Sequence, residues 1–393
     1  MERLFWILIG LSVWAYVGYP LLLLLATIGR RAERGAGPSG LGAAGLGESL
    51  PTVTVLLPAH DEEAHIARRI DNLLALDYPP ARLEILVGSD GSTDGTVAIV
   101  QGYAGRGVRL HEATVRAGKT ALLNDMVRLA RGEVLVFTDA NCVYEAGAVR
   151  ALVARLGEPG VECVIGELSY VNEDDPTVAA GEGLYWRYEN AIKEMESQLG
   201  GTLVANGSIY ALRRARARPL PPQVSDDSVN PLLILRDGGR VVFERGAVAR
   251  ERAASSLEEE FRRKARMVTR QLGSHLHVRA FLWPPRPWLA FRLASHKTLR
   301  WLVPVLLLAA LGVNLGLLGR PLFQLTLGIA ILFLLLAAMG GWRVARGLAA
   351  PAWMRLPLYF SVVNGAALKG MADFLLGRHR AVWRVSESTR RLA

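Results

Sequence analysis

Residues 4–29 contain no charged side chain, and this run limits the possible structures more than any other feature. It is long enough to cross ~30 Å of hydrocarbon. In that medium every backbone N–H and C=O must be satisfied within the segment, so the run has to be helical. It exceeds a signal-peptide core, and leucines 21–25 continue where a cleavage site would fall. Arg30, Arg31 and Arg34 follow at once, whereas Arg3 is offset by Glu2. The positive-inside rule then puts the amino terminus outside and everything after Arg30 in the cytoplasm.

A second apolar block comes late. Residues 301–319 and 321–342 are uncharged, with Arg320 alone between them, the pattern of a membrane hairpin. Before it, Trp283-Pro284-Pro285-Arg286-Pro287-Trp288 suits a membrane interface. Residues 356–368 stay apolar until Lys369 and Asp373, and read either as a third crossing or as a re-entrant helix. Arg378, Arg380, Arg384, Arg390 and Arg391 favour a cytoplasmic tail, against a third crossing. These blocks reconcile 51% apolar residues with 21% charged ones in 393 residues. The expected order is a membrane helix over 1–30, a flexible tether over 31–50 and a cytoplasmic domain over 51–255. Interface helices over 256–298 follow, then the hairpin over 299–342, and a third helix with a basic tail over 343–393. Such a chain is a multi-pass protein of the inner (cytoplasmic) membrane.

The polar middle alternates strand and helix: strands over 53–58, 84–88 and 134–138, helices over 62–76 and 117–131. Ile66, Ile70, Leu73 and Leu74 mark the buried face of the first helix. The alternation predicts a wound α/β sheet. Val134-Leu135-Val136-Phe137-Thr138 suits a strand buried on both faces and runs straight into Asp139-Ala140-Asn141. Ligands of parallel sheets gather outside the carboxyl ends of the strands. There Asp139 and Asn141 can offer oxygen to a hard cation such as Mg2+, which is usually held by one or two carboxylates plus substrate phosphates.

Asp90 ends the second strand in a glycine-flanked loop, where its carboxylate can accept from the imide of a uracil. Asp94 can simply cap the next helix. Gly118-Lys119-Thr120 opens a helix, but Ala113 stands where a phosphate-binding loop needs its first glycine, so that motif fails. Lys119 can still face a diphosphate. His60 and His65 miss the spacing of a zinc protease. The only cysteines, Cys142 and Cys163, make neither a disulfide framework nor a thiolate metal site. The net charge of +10 favours an anionic partner. The basic residues cluster beside membrane segments rather than among exposed aromatics, which argues against nucleic acid.

Pro58-Ala59-His60-Asp61-Glu62-Glu63, Ser89-Asp90-Gly91-Ser92-Thr93-Asp94-Gly95-Thr96, Gly118-Lys119-Thr120-Ala121-Leu122-Leu123-Asn124 and Thr138-Asp139-Ala140-Asn141 together resemble, in order and spacing, a membrane-bound family 2 glycosyltransferase. The resemblance runs over roughly residues 50–280. It implies a GT-A fold with a mixed, mostly parallel sheet plus transmembrane helices. It also implies inverting transfer from a nucleotide-diphosphate sugar, usually UDP-linked, with Mg2+ or Mn2+. The acceptor would be lipid-linked or a polysaccharide, and a single-addition enzyme making a glycolipid or polyprenyl-phosphate sugar is the alternative. By the same resemblance Ala59 and Glu62 border the nucleotide, Asp90 the base, and Asp139 the metal-bound diphosphate. Asn141 stands where the family usually has a second acid. Ser225-Asp226-Asp227 resembles the acid motif whose second member, here Asp227, is the catalytic base; the residue pattern alone also suits a cap for a helix over 228–237. Helix 257–273 carries Arg262, Arg263, Lys264, Arg266 and Arg270, a face often merely solvated or turned to lipid head groups. It resembles the Gln-x-x-Arg-Trp segment of processive synthases, with Arg266 as the arginine, able to steady the departing nucleotide diphosphate, but with Arg263 and Met267 in place of the glutamine and tryptophan.

Overall fold

The computed structural model describes residues 1–33, 50–171, 176–254, 256–282 and 286–378. Most of the expected tether, the tail beyond Arg378 and part of the cluster at 283–288 lie outside them. Eight strands form one mixed sheet in the order β3-β2-β1-β4-β7-β6-β8-β5. They are β1 Val53–Ala59, β2 Leu83–Asp90, β3 Val108–Ala113, β4 Val134–Thr138, β5 Cys142–Tyr144, β6 Val161–Val171, β7 Ile209–Arg213 and β8 Arg240–Arg252. β3, β2, β1 and β4 run parallel, β7 is antiparallel to both β4 and β6, and β8 is parallel to β6. The chain winds outward from β1 to β3 and returns to place β4 on the other side of β1. This reversal opens a crevice at the carboxyl ends of β1 and β4.

Burial on both faces explains why β4 reads as an apolar run and β1 as one broken only by Thr54. Val53, Val55, Leu57, Val134 and Val136 face one layer, with Ile66, Ile70 and Leu152. Leu56, Leu135 and Phe137 face the other, with Leu122, Leu123 and Met126. The first helix covers Ile66–Leu74 rather than 62–76. Asp61 takes a left-handed φ of 53°, and the backbone N–H of Glu63 donates to Asp94, so residues 62–65 are held as a turn. The helix Asp226–Arg236 begins at Asp226, with Ser225 at its cap, and the basic helix runs from Leu257 to Leu282.

Three helices among the described residues are long and apolar enough to cross a membrane: Glu2–Ile28, Pro287–Leu315 and Pro321–Ala345. The second begins well before residue 301. Its charges gave no sign of this, because Arg300 and Lys297 turn inward onto Glu189 of the helix Pro176–Gln198, Lys297 at 2.6 Å. His296 Nδ1 lies 2.8 Å from Glu196, which also accepts the Tyr19 hydroxyl at 2.7 Å. Pro20 has no N–H to offer the Tyr16 carbonyl, and that carbonyl accepts the Tyr188 hydroxyl at 2.7 Å. Buried polar contacts thus join the first membrane helix and the second to the sheet domain. The last helix, Ala352–Leu375, crosses the basic helix closely. A Cβ at Gly370 would come within 2.5 Å of the Ala265 carbonyl, and Thr269 donates to the Gly370 carbonyl at 3.0 Å.

Candidate functional site

One cavity of about 680 Å3 opens at the β1–β4 crevice. Its floor is set by the loop before helix Lys119–Leu129. Gly118 sits at φ 97°, a conformation that favours glycine. Asp90 anchors this loop from below: it accepts the N–H of Ala117 at 2.8 Å and that of Gly118 at 3.0 Å. Asp90 is fully buried and does not line the cavity. Ala59 is likewise buried, in the core under β1, while Pro58 and Glu62 reach the lining. Of the residues expected around the nucleotide, Glu62, Lys119 and Asp139 therefore share the cavity, and Ala59 and Asp90 support its walls.

Lys119 donates to Asp139 Oδ1 at 2.5 Å. Burial opposes the lysine charge, but Asp139, with Asp226 and Asp227 behind it, holds the ammonium above the usual lysine range. Gly207 marks where the groups converge. A Cβ there would lie 3.1 Å from Lys119 Nζ, 3.2 Å from Asp139 Oδ2 and 3.8 Å from Asp227 Oδ2. Asp227 accepts the Ser225 hydroxyl at 2.5 Å, and its neighbour Asp226 accepts the Tyr210 hydroxyl at 2.7 Å. Burial, with repulsion from Asp226, raises the Asp227 carboxyl above its ordinary range. Arg266 and Arg270 line the same cavity. Burial and then Arg270 pull Arg266 below the usual arginine range.

Sequence reasoning missed Glu251. Its strand β8 pairs with β5 so that Glu251 lies opposite Cys142, a register the sequence does not display. There it accepts the Asn141 amide at 2.7 Å and the Ser208 hydroxyl at 3.1 Å. Burial, and then Asp139 nearby, push it up to about 7. Arg69 was also missed: wholly buried, it donates to Thr138 at 2.7 Å and covers the Tyr144 ring at 4.2 Å, bracing the end of β4.

Among the described residues no group of three or more His, Cys, Asp or Glu side chains could hold a metal ion. The donors present nevertheless fit a hard cation shared with a ligand. Asp139 turns one oxygen to Lys119 and the other toward Gly207. Asn141 commits its amide nitrogen to Glu251, so the atom it could give a metal is its oxygen. Part of the lining is apolar and aromatic, with Tyr16 of the first apolar helix and Leu356, Phe360 and Val363 of the last helix.

The family described as Glycosyl transferase family 2 matches residues 54–217. A beta-monoglucosyldiacylglycerol synthase of Nostoc sp. is 27% identical over 170 residues, 42% of this chain and 36% of that protein. An N-acetylglucosaminyltransferase of Azorhizobium caulinodans is 25% identical over 233 residues, 55% of this chain and 58% of that one. The matched region thus spans less than two thirds of either relative. A mannosyltransferase from Pyrobaculum calidifontis, solved in complex with GDP-Man and Mn2+, superposes with a TM-score of 0.67 at 24% identity, over 95% of this chain and 99% of that one. The sheet and its covering helices are therefore the GT-A fold.

Proposed function

We propose, on the match of residues 54–217 to Glycosyl transferase family 2, that this chain moves a sugar from a nucleotide-diphosphate donor, UDP-linked by family resemblance, to a lipid-linked or polysaccharide acceptor. It works with inversion at the cytoplasmic face of the inner membrane. One observation carries the reading. A single cavity joins Lys119, Asp139 and Asp227 to side chains of the membrane-associated helices, so a donor at the sheet and a greasy acceptor can meet inside it. The apolar part of the lining, and Met267 where processive synthases have tryptophan, favour one addition to a lipid over chain growth.

Inversion by single displacement needs a base on the acceptor side of the anomeric carbon. Asp227 takes that role: it stands half-buried in the cavity wall with its carboxyl raised, which makes it the stronger base. Lys119, Arg266 and Arg270 face the diphosphate as its bond to the sugar breaks, and a fixed guanidinium suits phosphate oxygens. Asp139 and the oxygen of Asn141 would hold Mg2+ or Mn2+, which when bound supplies positive charge to the departing diphosphate. Glu251 keeps Asn141 oriented.

The test uses purified protein in nanodiscs with UDP-glucose, UDP-N-acetylglucosamine and GDP-mannose, scoring nucleotide release with and without Mn2+. One donor should give metal-dependent release. Asp139→Ala and Asp227→Asn should each abolish turnover, and only Asp139→Ala should weaken binding of Mn2+-nucleotide. Normal turnover in Asp227→Asn would remove it as the base.

A further inference from the structure

The same cavity is lined by buried cations for which the donor chemistry has no use. Lys193 and Lys264 are 2% and 6% exposed. Their ammonium groups lie 5.2 and 5.8 Å from the centroid of the same Trp186 ring, and Lys264 lies 4.2 Å from that of Tyr185. Lys264 comes no nearer than 3.5 Å to Glu260 and makes no hydrogen bond, and the indole N–H of Trp186 has no acceptor. The acids at hand are already engaged. Glu260 accepts Arg263 at 2.7 Å and Tyr359 at 3.1 Å, and Glu189 is held by Lys297 and Arg300.

A buried donor left without an acceptor costs about 1–3 kcal/mol, more when charged. Packing gives no reason to keep the Lys264 ammonium and an indole N–H in that condition around one cavity, with a second buried ammonium, Lys193, beside them. Burial also draws both ammoniums below the usual lysine range, Lys193 to about 8 with Lys297 repelling it. An anion placed among them would reverse both penalties. A neutral lipid head group would leave them standing.

We propose that Lys193, Lys264 and Trp186 bind the phosphate head group of a lipid acceptor, whose chain leaves the cavity past Tyr16, Phe360 and Val363. The proposal rests on the glycosyl-transfer reading above and names its acceptor class. The phosphate can be the nucleophile itself or can carry a sugar whose hydroxyl attacks. Either way the new oxygen bond to the anomeric carbon forms as the bond to the nucleotide diphosphate breaks. The electron pair leaves with the diphosphate, and any proton on the nucleophile passes to Asp227.

The test is lipid binding to the full-length protein in detergent, by native mass spectrometry, with farnesyl phosphate, farnesyl-diphosphate-linked N-acetylglucosamine, farnesol and dioleoylglycerol. The two phosphates should bind well above the two neutral lipids, and the stronger of them identifies the nucleophile. Lys264→Met should weaken phosphate-lipid binding and raise its KM about tenfold, the worth of one charged hydrogen bond. Lys264→Arg should restore most of the loss, and Trp186→Phe, which keeps the ring, should lose severalfold. KM for the sugar nucleotide should stay put in all three, and Mn2+-nucleotide binding confirms that each variant is folded. Farnesol or dioleoylglycerol binding as well as farnesyl phosphate would overturn the proposal, as would a loss falling on the nucleotide instead of the lipid. Selective phosphate-lipid binding without transfer from any donor would retain the anion site and overturn only the enzymatic reading.

Discussion

At the scale of single residues, Gly207 shows how tightly the site is built. Alanine there would push a methyl group between Lys119 Nζ and Asp139 Oδ2, both within 3.2 Å. The side chains can yield by a few tenths of an ångström, so the fold should survive while the donor-binding groups shift. Misplacement on the order of 1 Å can cost a hundredfold in rate. Gly207→Ala should therefore lower kcat by about tenfold or more with little change in melting temperature; steady-state kinetics beside a melting curve checks both. Lys193 gives a pH signature. Its folded-state amine is depressed to about 8, so between that value and the ordinary lysine range the unfolded chain binds the extra proton. Stability from this group therefore rises with pH across that window. Lys193→Met should melt higher than the parent at pH 7, with the advantage shrinking toward pH 10. An equal advantage at both would mean that the lysine is not buried as a charge. Legibility at this scale was uneven. Asp139 was singled out because a strand end places its ligands predictably, and it lines the cavity. Asp90 was expected at the nucleotide base, but a Gly-flanked turn serves a nucleotide or a loop alike, and here its carboxylate bonds the backbone ahead of Lys119.

At the scale of elements, β4 matched its expected residues 134–138 because burial on both faces leaves an uninterrupted apolar run. The fold class was legible in the same alternation of strands and helices. The basic helix was legible at the cavity only through Arg266 and the family resemblance; the inward turn of its other cations was not, because a row of arginines and lysines looks the same solvated or buried. Glu260, fully buried on that helix, is what allows Arg263 to turn inward. A similar neutralisation ties the helix Pro176–Gln198 to the second membrane helix, where Glu189 meets Lys297, Arg300 and, at 3.5 Å, His296. Removing one partner of a buried ion pair strands the other and typically costs about 3–5 kcal/mol. Glu189→Ala should lose about that much, read as a lower melting temperature in detergent. Adding Arg300→Met should recover part of the loss. No recovery would mean that Glu189 acts through something other than charge balance.

At the scale of the whole molecule, the membrane helices have a common sense of direction. Glu2, at the start of the first, pairs with Arg320 in the turn between the second and third, and Phe5 meets Phe323 edge to face at 5.2 Å. The amino terminus and that turn therefore lie at the same end, and the cavity with its acids lies at the other, beyond Tyr16 and Tyr19. On the proposed topology, the arginines after residue 29 put the cavity end in the cytoplasm. Labelling tests this directly. Cys142 and Cys163 are both buried and should stay silent to a membrane-impermeant maleimide, so new cysteines can be read against a quiet background. Gly319→Cys, in the turn beside Arg320, should label in intact cells. Arg346→Cys, at the far end of the helix Pro321–Ala345, should label only after permeabilisation. The opposite pattern would put Asp139 and Asp227 outside, away from any cytoplasmic nucleotide sugar, and the proposed reaction would lose its donor.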